Sequence, residues 1–151
     1  MDEMIRLDMA HVLVPVDDEH ARQGCELATE LFPGEKFLLL HVINPANAAG
    51  YNPEPGVPGA AEDWYAREET ETEEYLEELR AHIEQRDDDA TVDHSIKIGR
   101  PAQIIVERVE QGDLDHVVMG SHGREGISRL LLGSVAETVV RKSPVPVTVV
   151  R

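Results

Sequence analysis

Ala10-His-Val-Leu-Val-Pro-Val16 is an apolar, β-branched run that ends abruptly on the carboxylates Asp17-Asp18-Glu19. Its length and composition are those of a strand buried on both sides. A helical pattern follows, with Ala21, Cys25, Ala28, Leu31 and Phe32 on one face, and Pro33-Gly34 ends that helix. The same alternation then repeats down the chain. Phe37 to Ile43 reads as a second buried strand. An acidic helix near 62–86 follows, with Trp64, Tyr65, Tyr75, Leu76, Leu79 and Ile83 mostly on one stripe, closed by Asp87-Asp-Asp89. Beyond it come a strand at Thr91 to Ile98, a helix from Pro101 with Ile105 and Val109 inward, and a strand at Asp115 to Met119. A glycine-rich loop, a helix from Ser134 and a last strand at Val145 to Val150 complete the chain. Gly99-Arg-Pro101 suits a helix start, since proline is favoured in a first turn. Buried strands alternating with helices predict a parallel sheet covered on both faces, a doubly wound α/β sandwich.

The 151 residues fit one compact domain, 1–151, with no internal repeat and no second domain expected. Hydrophobic residues make up 41% and aromatic residues 4%, so the core has to be built from Val, Leu, Ile and Ala. Asn44 to Ala61, with four prolines and three glycines, is longer than ordinary structureless connections and reads as a flexible loop, either a lid or a tolerated insertion. Phe37 to Ile43 falls far short of a membrane span, and Met1-Asp-Glu-Met has neither a basic nor an apolar leader region. Membrane insertion and secretion are not expected. Cys25 has no cysteine partner for a disulfide or an ordinary zinc site, which fits the reducing cytoplasm.

Fourteen basic residues against 30 acidic ones give a net charge of −16, which argues against nucleic acid as a partner, because Lys and Arg contacts to phosphate supply most of that affinity. Only three of the basic residues are lysines, Lys36, Lys97 and Lys142. An acid-rich, lysine-poor surface is what a salt-loaded, halophilic cytoplasm would screen. Residues 1–95 carry six basic and 24 acidic side chains, whereas residues 96–151 carry eight and six. An anionic ligand is therefore expected in the C-terminal third, although the acidic helix alone also accounts for the asymmetry.

In open parallel sheets the ligand crevice lies beyond the carboxyl ends of strands, where the strand order reverses. Two strand ends carry unusual residues: the first runs into Asp17, the fourth into Gly120-Ser-His-Gly123, with Gly133-Ser134 opening the next helix. Glycines at 120 and 123 let a phosphate chain approach the backbone N–H groups, and the amide end of the helix at Ser134 adds donors and partial positive charge. They also suit plain turns, and Ser134-Val-Ala-Glu137 also fits a capping box. Arg124 and Arg129 lie in the loop and can meet a polyphosphate or stay solvated. Asp17 can accept hydrogen bonds from ribose hydroxyls or cap the first helix. His122 is read as a solvated loop residue and Cys25 as a small core residue. There is no G-x-x-x-x-G-K-[ST], no G-x-G-x-x-G after the first strand, no H-E-x-x-H and no G-x-S-x-G. No catalytic residue and no resident metal site is assigned.

Met119-Gly-Ser-His-Gly-Arg-Glu-Gly-Ile-Ser-Arg-Leu-Leu-Leu-Gly-Ser-Val135 resembles the universal stress protein family, whose ATP-binding members carry G-x2-G-x9-G-[ST]; Gly120, Gly123, Gly133 and Ser134 match that spacing in full. Val12-Leu-Val-Pro-Val-Asp17, Gly99-Arg-Pro-Ala102 and the C-terminal Ser-Pro-Val-Pro-Val-Thr-Val-Val are also similar to the family, so the resemblance spans nearly the whole chain. It implies a five-stranded parallel sheet in the order 3-2-1-4-5, with the reversal between the strands ending in Asp17 and Gly120. It further implies that Pro15 and Asp17 border an adenosine, Val42 contacts adenine, and Met119 and Gly120 flank ribose and phosphates. Gly123, Gly133, Ser134 and Val135 would hold the phosphate chain, beside Arg124 of the same loop. By the same resemblance the chain forms a homodimer through Val145 to Val150, where Pro146 suits an edge. Asp17-Asp18-Glu19 departs from the family's frequent Asp-Gly-Ser; its extra carboxylates would weaken nucleotide binding at low salt or recruit Mg2+.

The expected function is binding of ATP or another adenine nucleotide by a cytoplasmic stress-response homodimer, with at most slow hydrolysis. Two alternatives remain: a family member that no longer binds nucleotide and acts through its dimer surface, and a phosphoryl-accepting receiver domain. The receiver reading needs an aspartate ending the third strand and a lysine ending a later one, where the chain has Ile98-Gly-Arg100 and Val150-Arg151. The sequence names no protein partner.

Overall fold

The computed structural model describes residues 9–17, 20–50, 59–121 and 132–150. Five strands form one parallel sheet: β1 (His11–Pro15), β2 (Lys36–Ile43), β3 (Thr91–Ile98), β4 (His116–Gly120) and β5 (Val147–Val150), in the order β3-β2-β1-β4-β5. The helices are α1 (Ala21–Leu31), α2 (Ala60–Arg86), α3 (Pro101–Glu110) and α4 (Ser134–Lys142). This is the doubly wound sandwich and strand order expected from the sequence. The strands lie within a residue or two of their expected places. Asn44–Ala61 is not wholly without structure, since Pro45–Gly50 winds into a 3-10 helix and α2 already begins at Ala60. Asn44 sets that turn: its side-chain oxygen accepts the Ala46 N–H at 3.0 Å and its carbonyl accepts the Asn47 N–H at 2.9 Å.

Alternation along the strands sends side chains to two cores. Val12, Val14 and Val16 of the β1 segment, with Phe37, Leu39, Val92 and Val118, pack against Cys25 and Ala28 of α1 and Leu76, Leu79 and Ile83 of α2. Leu13, Leu38, Leu40, Val117 and Met119 face the other way, onto Ile105, Val106 and Val109 of α3 and Ala136 and Val139 of α4. Cys25 is fully buried, as its place on the apolar face of α1 predicts. The α2 stripe divides: Trp64, Leu76, Leu79 and Ile83 are buried, whereas Tyr65 and Tyr75 are half-buried. Gly34, at φ 75°, takes the left-handed turn that ends α1 and offers its N–H to the Asp87 carboxylate after α2.

Strand β1 is central and pairs on both sides, but unequally. With β2 its register runs from His11↔Lys36 to Pro15↔Leu40; with β4 it covers Val12↔His116 and Leu13↔Val117. Odd residues of β1 aim their backbone at β4, as in the Asp115 N–H bond to the His11 carbonyl, 2.8 Å. Even residues aim at β2, as in Val16 N–H to Leu40 O, 2.8 Å. Pro15 is thus the residue whose N–H would reach toward β4, and it has none. The β1–β4 pairing stops short of it, and a crevice begins there.

Candidate functional site

Between the carboxyl ends of β1 and β4 lies a cavity of about 500 Å³, within the range that small-molecule sites occupy. Pro15, Asp17, Val42, Met119, Gly120, Gly133, Ser134 and Val135 all line it. These residues come from three strand ends and one helix start, and the reversal of strand order brings them together. Gly123 and Arg124, with His122 and Arg129, lie outside the described residues, as do Asp18 and Glu19. Leu40, Val42, Pro101, Ile105 and Met119 supply apolar wall, and Asp17 is the one formally charged side chain among the described lining residues.

The fourth strand and the last helix meet at a closed stem. Ser121 N–H bonds the Val150 carbonyl of β5 at 2.8 Å, and the Ser121 carbonyl accepts the Gly133 N–H at 2.7 Å. The chain therefore enters and leaves the loop between Ser121 and Gly133 at one point, which sets Gly120 beside the start of α4. Ser134 is the first residue inside α4 and Gly133 its cap; no side chain caps the helix. The capping-box reading of Ser134 and Glu137 is therefore corrected: extended backbone at Gly133, φ −66° and ψ 160°, puts the serine one position too far along to serve as the cap. The first intrahelical bond is Glu137 N–H to Gly133 O, 2.9 Å. The amides of Ser134, Val135 and Ala136 precede it, have no acceptor within the helix, and belong to residues lining the cavity.

Asp17 is not the cap of α1, whose N-cap is His20 with no side-chain cap bond. Its Oδ1 accepts the His20 N–H at 2.8 Å, which ties the chain just before α1, while the residue also lines the cavity. A Cβ on Gly120 would stand 3.7 Å from Asp17 Oδ2 and 3.4 Å from the His20 Cβ. Glycine there keeps room beside the carboxylate. Gly99 at φ 153° turns the chain from β3 into α3, and its N–H bonds the Ile43 carbonyl at 3.0 Å, which carries Pro101 over the end of β2.

Several lining residues were not foreseen. His41 precedes Val42 on β2 and its Nδ1 lies 2.8 Å from the Val16 carbonyl. Asn44, just before the 3-10 helix, and Asn47 within it line the cavity, as do Pro101 and Ile105 of α3. Asn44-Pro45 after a strand is a turn signal that could have flagged the asparagines. Ile105 reads as core from periodicity alone, and it is core; it lines the cavity at the same time.

Comparison with known proteins gives one consistent result. The model of the universal stress protein family matches residues 9–151. Universal stress protein MJ0577 of Methanocaldococcus jannaschii is 33% identical over 136 residues, which cover 82% of this chain and 82% of that one. The solved structure of MJ0577 has a TM-score of 0.68 to this chain at 28% identity, covering 94% of this chain and 95% of its own. A universal stress protein from Archaeoglobus fulgidus, solved in complex with dAMP, shares the fold at a TM-score of 0.63 and 19% identity, covering 94% and 98%.

Proposed function

The chain belongs to the universal stress protein family, and from that premise we propose that it binds an adenine nucleotide in the crevice between β1 and β4. The observation that carries this reading is the uncapped start of α4: three amides without helical acceptors line a cavity at the reversal of strand order, where a phosphate would meet N–H donors and the positive end of the helix. The apolar walls at Val42, Ile105 and Met119 suit a purine, and Asp17, which lines the same cavity, suits ribose hydroxyls. The neighbour of the same fold that was solved with dAMP supports the same ligand class.

On this reading Pro15, Asp17 and Val42 contact the nucleoside. Met119, Gly120, Gly133, Ser134 and Val135 follow the phosphates, joined by Gly123 and Arg124. ATP is the proposed form of the ligand. Mg2+ would arrive as its counterion, with Asp17 the carboxylate of the crevice; among the described residues no cluster of His, Cys, Asp and Glu forms a metal site. The role is binding rather than chemistry, since the sequence has no P-loop lysine, and phosphate release from ATP should be slow at most. Dimerisation through Val145 to Val150 is supported by the place of β5 at the edge of the sheet, where one side of the strand has no neighbouring strand among the described residues. Among the described residues no helix is long and apolar enough to cross a membrane. Residence in a salt-loaded cytoplasm is supported by the charge of −16. A second reading, a silenced site with function at the dimer surface, is favoured by the extra carboxylates Asp18 and Glu19 that follow Asp17 in the sequence.

Calorimetric titration with ATP and Mg2+, in molar KCl and in dilute buffer, separates the two. One saturable site per chain is expected in high salt and weaker binding in dilute buffer. Absence of binding in both, with no nucleotide carried through purification, overturns the reading. Ser134→Glu sharpens the test: a carboxylate in the first turn of α4 suits the helix dipole, so the fold should keep its melting temperature while nucleotide binding is lost.

A further inference from the structure

His41 has no part in the binding set above, yet it holds the wall on which Asp17 stands. Its Nδ1 lies 2.8 Å from the carbonyl of Val16. A carbonyl can only accept, so Nδ1 must carry the proton, and the neutral ring is held as the Nδ1–H tautomer, the less common one for imidazole free in water. The N–H of the same Val16 donates to Leu40 O at 2.8 Å. Both backbone groups of Val16 are therefore tied to β2, one by the ladder and one by a side chain. On the other flank Pro15 offers no N–H to β4. The last residues of β1 lean on β2 alone, and the crevice stays open on the β4 side.

Asp17 follows at once, its Oδ1 fixed by the His20 N–H. The His41 bond thus fixes the peptide immediately before the carboxylate, at the point where ladder pairing has run out. We propose that His41 is a positioning residue for the crevice: its Nδ1–H clamps the Val16 carbonyl to β2 and thereby sets Asp17 at the distance from β4 that a nucleoside needs. The assignment of a nucleoside rests on the proposed function; the clamp itself does not.

The test uses the full chain and three measurements. The first is the ¹⁵N spectrum of the His41 ring, which distinguishes the tautomers; an Nδ1–H signature is expected, and an Nε2–H signature overturns the clamp. The second is amide hydrogen exchange at Val16 and Asp17 in wild type and in His41→Leu, where the Val16 carbonyl loses its donor. Faster exchange at both amides in the variant, with unchanged far-UV circular dichroism, supports the clamp, and equal protection overturns it. The third is nucleotide affinity. His41→Leu should raise the Kd for AMP by about tenfold, the scale of one lost hydrogen bond to a buried carbonyl. His41→Asn, whose amide nitrogen stands close to where Nδ1 stood, should recover most of that loss. If Asn binds as weakly as Leu, the ring and not its donor matters, and the proposal fails. The first two readings need no ligand, so a wild-type chain that binds no nucleotide sinks the proposed function and leaves the clamp to be judged on the spectrum and the exchange.

Discussion

Cys25 shows how burial alone sets chemistry at one residue. Its thiol is fully buried on α1, and burial, reinforced by the neighbouring Glu26 carboxylate, pushes its pKa up to about 12. With almost no thiolate at neutral pH, Cys25 should react with a thiol reagent such as DTNB only as fast as the chain unfolds. Rapid modification in native buffer would show that α1 opens locally. Asp113 is the opposite case. Arg108 reaches it with two hydrogen bonds, 2.6 and 2.9 Å, and holds its carboxyl at about 2. The carboxylate is half-exposed, so the fork orders the turn after α3 more than it stabilises the fold. Asp17 shows where reading stopped at this scale: ribose contact and the cap of α1 are both open from sequence, and it takes the fold to show that His20 is the cap while Asp17 Oδ1 accepts the His20 N–H.

At the scale of elements, periodicity was enough to find strands and helices because each one buries a full face. Strand β2 is the clearest case, with Phe37 and Leu39 entering one core and Leu38 and Leu40 the other. Leu39→Ala removes a fully buried side chain that cannot be replaced by collapse from a central sheet, and should cost about 2–5 kcal/mol of stability in denaturant titration. A loss under about 1 kcal/mol would mean the core around β2 repacks. Helix α2 is held on its polar side as well, by His82 to Glu26 at 3.0 Å and His94 to Glu73 at 2.7 Å. Those pairs were invisible in sequence, since the partners are 56 and 21 residues apart. The serine of α4 is ambiguous for a different reason: a capping box at Ser134 and a helix capped one residue earlier, at Gly133, have the same letters, and the extended backbone at Gly133 decides between them.

Across the whole molecule, two histidines couple stability to pH. Burial lowers the pKa of His11, against the opposing pull of Asp113, and burial lowers that of His116, whose Nε2 meets Thr148 Oγ1 at 2.7 Å. An imidazole whose folded pKa lies below its ordinary 6.5 contributes stability that is full above 6.5 and lost as pH falls through the folded values. The melting temperature should therefore drop as pH is lowered below 6.5, and His116→Gln should flatten that slope. Asp113 adds a second loss between 3.8 and about 2. The charge of −16 makes a separate claim: self-repulsion should lower the melting temperature in dilute buffer and molar KCl should raise it, whereas equal melting in both would remove the case for a salt-loaded cytoplasm. Run lengths, glycine spacing and apolar alternation were local properties of the chain, so the sheet, its helices and the Gly120, Gly133 and Ser134 end of the crevice were legible before any coordinates. The gap at Pro15, the closed stem between Ser121 and Gly133, the uncapped start of α4 and the His41 bond to Val16 were not. Each depends on which way a backbone group points when distant segments meet, and amino-acid letters carry side-chain identity, not the direction of an N–H or a carbonyl.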